Sequence, residues 1–172
     1  MIEDSLTIYK LIVLQMLSRV DFPLTKAQIS DFLLNNDYTN FMTLQQVFSE
    51  LTDAGFVTAN SIRNRTQLAL TAEGKNTLQF FRDRIGESLR KDIDEYLKVN
   101  ELKMRNEASV TSDYYKAVSG EYEAHLVAKD KNIVLVDITM SVPTKDMAID
   151  ICENWAQKNQ IIYQHLVEQL FS

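Results

Sequence analysis

Apolar positions recur at helical spacing through about residue 106, alternate over residues 110–142, and return to helical spacing near the C-terminus. A first helix is predicted from Asp4 or Ser5 to Ser18, with Leu6, Tyr9, Val13 and Met16 as its stripe and Ile12 and Leu17 widening it. Asp21-Phe22-Pro23-Leu24 breaks that helix. Thr25-Lys26-Ala27-Gln28 then has capping-box spacing and starts a second helix, which runs to about Asn35 with Ile29, Phe32 and Leu33 inward. A third helix is predicted from Thr39 or Asn40. Its inner face is Phe41, Leu44, Phe48 and Leu51, and Gly55 suits the left-handed position just past its end.

Phe56–Ala59 and Gln67–Leu70 read as the two strands of a hairpin with a polar, basic tip between them. Thr71 is placed to cap a helix carrying Leu78, Phe81 and Ile85, and Gly86 interrupts it. A charge-rich helix from about Glu87 to Asn106 has Leu89, Ile93, Tyr96 and Leu97 on its apolar side. Val110–Val118, Tyr122–Lys129 and Ile133–Val142 then read as strands joined by short turns, which implies an antiparallel meander. Val134, Val136, Ile138, Met140 and Val142 are expected on one face. A long last helix, with Ala148, Cys152, Trp155, Ile162, Leu166 and Leu170 as its apolar stripe, is expected to cover that sheet. The fold class is therefore α+β, divided at 85/86 into an N-terminal unit (1–85) and a C-terminal α+β part (86–172) suited to dimerisation or effector sensing.

Helix, helix, helix, strand, strand, helix is the order of a winged helix-turn-helix, three helices plus a β-hairpin wing. The stretch Leu44-Gln45-Gln46-Val47-Phe48-Ser49-Glu50-Leu51-Thr52-Asp53-Ala54-Gly55-Phe56-Val57 resembles the third helix and wing approach of MarR- and PadR-type regulators. Leu70-Thr71-Ala72-Glu73-Gly74-Lys75 resembles the wing exit of the same regulators. The resemblance covers residues 1–85. The remainder, with Asn154-Trp155 in its final helix, is similar to a clostridial family that joins a winged helix to a small α+β part. These resemblances imply a DNA-binding transcriptional regulator. It would act as a homodimer that places two third helices in successive major grooves of double-stranded DNA and its wings on flanking DNA.

Composition constrains where such a site can lie. The chain has 172 residues with 18 Lys+Arg against 24 Asp+Glu, a net charge of −6, so any nucleic-acid site must be local. On the third helix, Thr39, Asn40, Thr43 and Gln46 are candidates for its exposed N-terminal side, and Asn40 and Gln46 suit the N6/N7 edge of adenine. Arg63, Asn64 and Arg65 at the hairpin tip are placed to hold phosphates or enter a minor groove, and Lys26 is a further phosphate candidate. The third helix has no Lys or Arg, and its Glu50 and Asp53 have the wrong sign for a phosphate backbone. That departure suits the alternative reading, a winged-helix protein-interaction module without DNA binding, in which the wing arginines meet an acidic partner.

Other chemistry is thinly represented. One cysteine rules out an internal disulfide framework and a multi-thiolate metal site, and two histidines leave little to build a metal cluster from. No phosphate-binding loop, dinucleotide fingerprint, nucleophile elbow or zinc spacing occurs, so no enzyme and no cofactor is expected. His125, His165, Cys152 and Trp155 read as packing or surface residues, and Asp137 with Glu121 and Glu123 as solvated strand positions. No apolar run approaches the ~20 residues of a membrane span, and the acidic start differs from a signal peptide. A soluble, cytoplasmic protein is expected. A small-molecule effector has room in this scheme, marked by a cavity between meander and last helix, but nothing in the sequence names one.

Overall fold

The structure, a computed structural model, describes residues 2–62 and 65–171. Its described residues form six α-helices and two three-stranded antiparallel sheets in two compact units, Met1–Arg105 and Asn106–Ser172.

The first unit is built around α1 (Ile2–Ser18). Every residue from Leu11 to Leu17 is buried, Gln15 included, so this helix is enclosed on most sides rather than amphipathic. After the Phe22-Pro23 break the chain forms β1 (Leu24–Thr25), which the sequence pattern did not reveal. It pairs with the later strand β3 (Arg65–Leu70), Leu24 opposite Leu68 and Thr25 opposite Gln67. Thr25 then caps α2 (Lys26–Asn35) through the expected box. Its Oγ1 accepts from the Gln28 amide at 3.1 Å, and the Gln28 Oε1 accepts from the Thr25 amide at 2.8 Å.

Next, α3 (Phe41–Asp53) buries Leu44, Val47, Phe48 and Leu51. Phe41 departs from the expected stripe: it is 60% exposed. As the first helical residue it precedes the turn that presses against the core. Gly55 follows at φ 75°, the left-handed conformation that ends α3 and turns the chain into β2 (Val57–Ile62). The hairpin strands are longer than expected. They pair from Val57/Leu70 out to Ile62/Arg65, so Arg65 lies within a strand.

Thr71 closes the base of the hairpin. Its hydroxyl donates to the Gly55 carbonyl at 2.7 Å and accepts from the Gly74 amide, capping α4 (Ala72–Phe81). A single 3-10 turn (Arg82–Arg84) leads to α5 (Glu87–Ser109). Ile93, Leu97 and Met104 of α5 enter the same core as α1, α2 and α3. The Tyr96 hydroxyl donates to the Gln28 carbonyl, Arg19 forms a fork with Asp94, and Arg105 pairs with Asp21. Most of this charged helix therefore belongs to the first unit, and the division falls after Arg105 rather than at 85/86.

The second unit is the meander β4 (Val110–Lys116), β5 (Tyr122–Asp130) and β6 (Ile133–Val142), in the order β4-β5-β6, with α6 (Lys145–Leu170) against one face. Ala124, Leu126 and Ala128 of β5 and Val136 and Val142 of β6 pack with Ala148, Cys152 and Trp155 of α6. Trp155 donates its indole N–H to the Val127 carbonyl at 3.3 Å, and Cys152 and the Asp113 carbonyl meet at 3.5 Å. These side chains pack in the space between sheet and helix where an effector cavity would lie.

Two apolar expectations are corrected here. A bulge between Ala128 and Lys129 sets Lys129 opposite Val134 and breaks the alternation of β6 at Leu135, leaving Val134 half exposed. Leu170 is 77% exposed: the buried stripe of α6 ends at Trp155, and Ile162 and Leu166 are only half-buried. No helix among the described residues is long and apolar enough to cross a membrane.

Candidate nucleic-acid interface

The residues singled out on the third helix come from the start and outer face of α3. Asn40 is its N-cap, with extended backbone (φ −110°, ψ 166°), and its Oδ1 accepts from the Thr43 amide at 2.9 Å. The cap engages the carboxamide oxygen that a bidentate contact with adenine would use, so Asn40 has a structural task before any recognition task. Asn40→Ala is expected to lower stability by about 1 kcal/mol in urea unfolding, and Asn40→Ser to restore most of it because a serine hydroxyl can accept the same N–H. Thr39 and Thr43 are half-buried, while Asn40 and Gln46 are exposed.

One turn past Thr43, Gln46 donates through Nε2 to Glu50 Oε1 at 2.8 Å. Glu50 is in turn paired with Lys10 of α1. This changes the electrostatics of the helix face. The Lys10 ammonium, and after it the Gln46 amide, hold the Glu50 carboxyl below the usual carboxylate range, and the lysine offsets its charge. The sequence counts Glu50 as a liability for a phosphate-facing helix. Lys10 is the residue that the sequence reading missed, because a partner 40 positions away leaves no local signal. Asp53 is exposed at the far end of the helix.

Lys26, the first residue of α2, is half-buried, with its ammonium 5.5 Å from the centre of the Phe48 ring. The contact is a cation–π attraction that places this charge beside α3. Arg65 is exposed and starts β3 opposite Ile62. Arg63 and Asn64 lie outside the described residues. The structure thus brings Asn40, Thr43 and Gln46 together on one helix, sets Lys26 against that helix, and leaves Arg65 at the outer end of the hairpin. The large apolar side chains of Phe41 and Met42 also stand at the start of α3, 60% and 76% exposed.

In the second unit, the sheet face away from α6 carries paired polar groups. His125 Nε2 lies 2.6 Å from Asp137 Oδ1, the Tyr115 hydroxyl donates to Glu123, and the Ser141 hydroxyl donates to Glu121. The bond to Glu123 raises the Tyr115 pKa above its ordinary value. Each of these acids has a hydrogen-bonded neighbour, as solvated strand residues commonly do. Cys152 is buried and His165 is exposed.

Taken together, these observations describe an α+β protein of two units whose first carries an exposed polar helix face beside a β-hairpin. The chain belongs to the family described as Domain of unknown function (DUF4364), whose model matches residues 9–170. No curated protein and no solved structure matches it.

Proposed function

We propose that this protein is a winged-helix transcriptional regulator that binds double-stranded DNA as a homodimer, with α3 in the major groove and the β2–β3 hairpin as its wing. The observation that carries this reading is the outer face of α3. Gln46 is exposed there, and the one acid beside it, Glu50, is offset by Lys10. The order α1-β1-α2-α3-β2-β3, with β1 and β2 flanking β3, supports it because the short sheet ties the hairpin to the helical core. The resemblance of residues 44–57 and 70–75 to MarR- and PadR-type regulators points the same way. Phosphate contacts would come from Lys26, Arg65 and the α3 N-terminus, whose first backbone N–H groups favour an anion. Arg63 and Asn64 at the tip would add to them. So few cations per subunit give modest affinity, and two subunits on half-sites about 34 Å apart would supply the rest.

A short duplex titrated into isotope-labelled protein tests the interface. Amide shifts should concentrate at Thr39–Gln46, at Lys26 and at the hairpin. Shifts confined to the second unit, or none at low salt, would contradict it.

A second reading has its own support. Phe41 and Met42 expose large apolar surface at the start of α3, which suits a protein groove better than a phosphate backbone. A protein-interaction module without DNA binding is therefore the alternative, and Phe41→Ser/Met42→Ser separates the two. It should abolish a protein contact, whereas random-duplex affinity should change less than about threefold if phosphates dominate binding.

A further inference from the structure

We propose that Glu50 is a positioning residue: clamped by Lys10, it fixes the carboxamide of Gln46 in the orientation that selects adenine at one base position. This inference rests on the DNA-binding reading above and adds to it the origin of base preference. An exposed glutamine has three rotatable side-chain bonds, and its oxygen and nitrogen exchange places when the amide turns over. A freely turning amide presents a donor or an acceptor to the same base edge and discriminates poorly.

Here the amide is held. Gln46 and Glu50 are four residues apart on α3, the spacing that places side chains on one helix face. Their contact is 2.8 Å from Nε2 to Oε1. An ionised carboxylate only accepts, so the nitrogen must face it, and the turned-over amide would set oxygen against oxygen. One N–H of Gln46 is spent on Glu50. The second N–H and Oε1 remain, and these are the donor and acceptor that adenine N7 and N6 require. Glu50 is itself kept in place and offset in charge by Lys10, which stands on α1 directly before the buried run Leu11–Leu17. A carboxylate so compensated can sit in a DNA-facing surface.

The experiment is a selection of binding sites from duplexes randomised over the protected region, run with wild type, Gln46→Ala, Glu50→Ala, the double variant and Glu50→Gln. Wild type should prefer adenine at one position by about tenfold. Gln46→Ala and Glu50→Ala should each flatten that same position, and the double variant should flatten it no further. Glu50→Gln should lose the preference as well, because Lys10 draws its amide oxygen and the N–H groups then face Gln46, which lets the Gln46 amide turn over. Affinity of Glu50→Ala for a random duplex should equal or exceed that of wild type, since removing the acid uncovers Lys10. The proposal is overturned if Glu50→Ala or Glu50→Gln keeps the adenine preference. A wild type that binds random duplex but enriches no sequence would overturn this proposal alone; one that binds no duplex at low salt would overturn the DNA-binding reading and this proposal with it.

Discussion

Gly74→Ala is expected to destabilise the protein by about 3 kcal/mol or more, although alanine is the better helix former. Gly74 lies in the first turn of α4, where an added Cβ would stand 2.0 Å from the Phe56 carbonyl oxygen and 2.9 Å from Leu70 Cδ1. The nearest atom is backbone, so no side-chain rotation relieves the clash. That carbonyl already accepts from the Thr71 amide at 3.1 Å, and Thr71 also holds the Gly55 carbonyl. Moving α4 away would therefore loosen the base of the hairpin as well as the helix. Urea unfolding measures the loss directly. A gain of stability, the usual result of glycine to alanine in a helix, would mean that the close approach is absent in solution.

Trp155→Ala should cost about 3–5 kcal/mol, the range for removing a large buried aromatic side chain. Trp155 is 1% exposed, lies between α6 and the sheet, and satisfies the Val127 carbonyl. A small unit has little stability in reserve, so this loss is comparable to everything that holds the meander to α6. Amide protection of β5 in hydrogen exchange should collapse. Trp155→Phe keeps most of the packing and loses only the indole hydrogen bond, so its cost should be nearer 1–3 kcal/mol, by order of magnitude. A loss below about 1 kcal/mol for alanine would show that α6 does not depend on this anchor.

Local chemistry was legible in the sequence. The capping box at Thr25/Gln28, the Thr71 cap and the turn at Gly55 each need only residues within a few positions, and each forms. The strands of the meander also follow from alternation and turn residues. Features that depend on distant partners were not legible. A strand of two residues, Leu24–Thr25, exists only because Leu68 and Gln67 lie beside it. Helix α5 reads as a solvated helix of the C-terminal part, yet its apolar side completes the N-terminal core. Periodicity placed Phe41 on the inner face but could not tell that the core begins a turn later, at Leu44. In the candidate site, Asn40, Thr43 and Gln46 fall on one helix as their spacing implied, but the cap that occupies Asn40 and the Lys10 that offsets Glu50 became visible only in three dimensions.

The proposed function rests on those same groups. A fluorescently labelled random duplex, titrated by anisotropy across about 20 to 200 mM salt, tests DNA binding most directly. Binding is expected at low salt, with a log affinity that falls linearly with log salt and a slope smaller by about one in Arg65→Ala. Absence of binding at the lowest salt, with the protein folded, would contradict it and leave α3 and the hairpin as a surface for a protein partner.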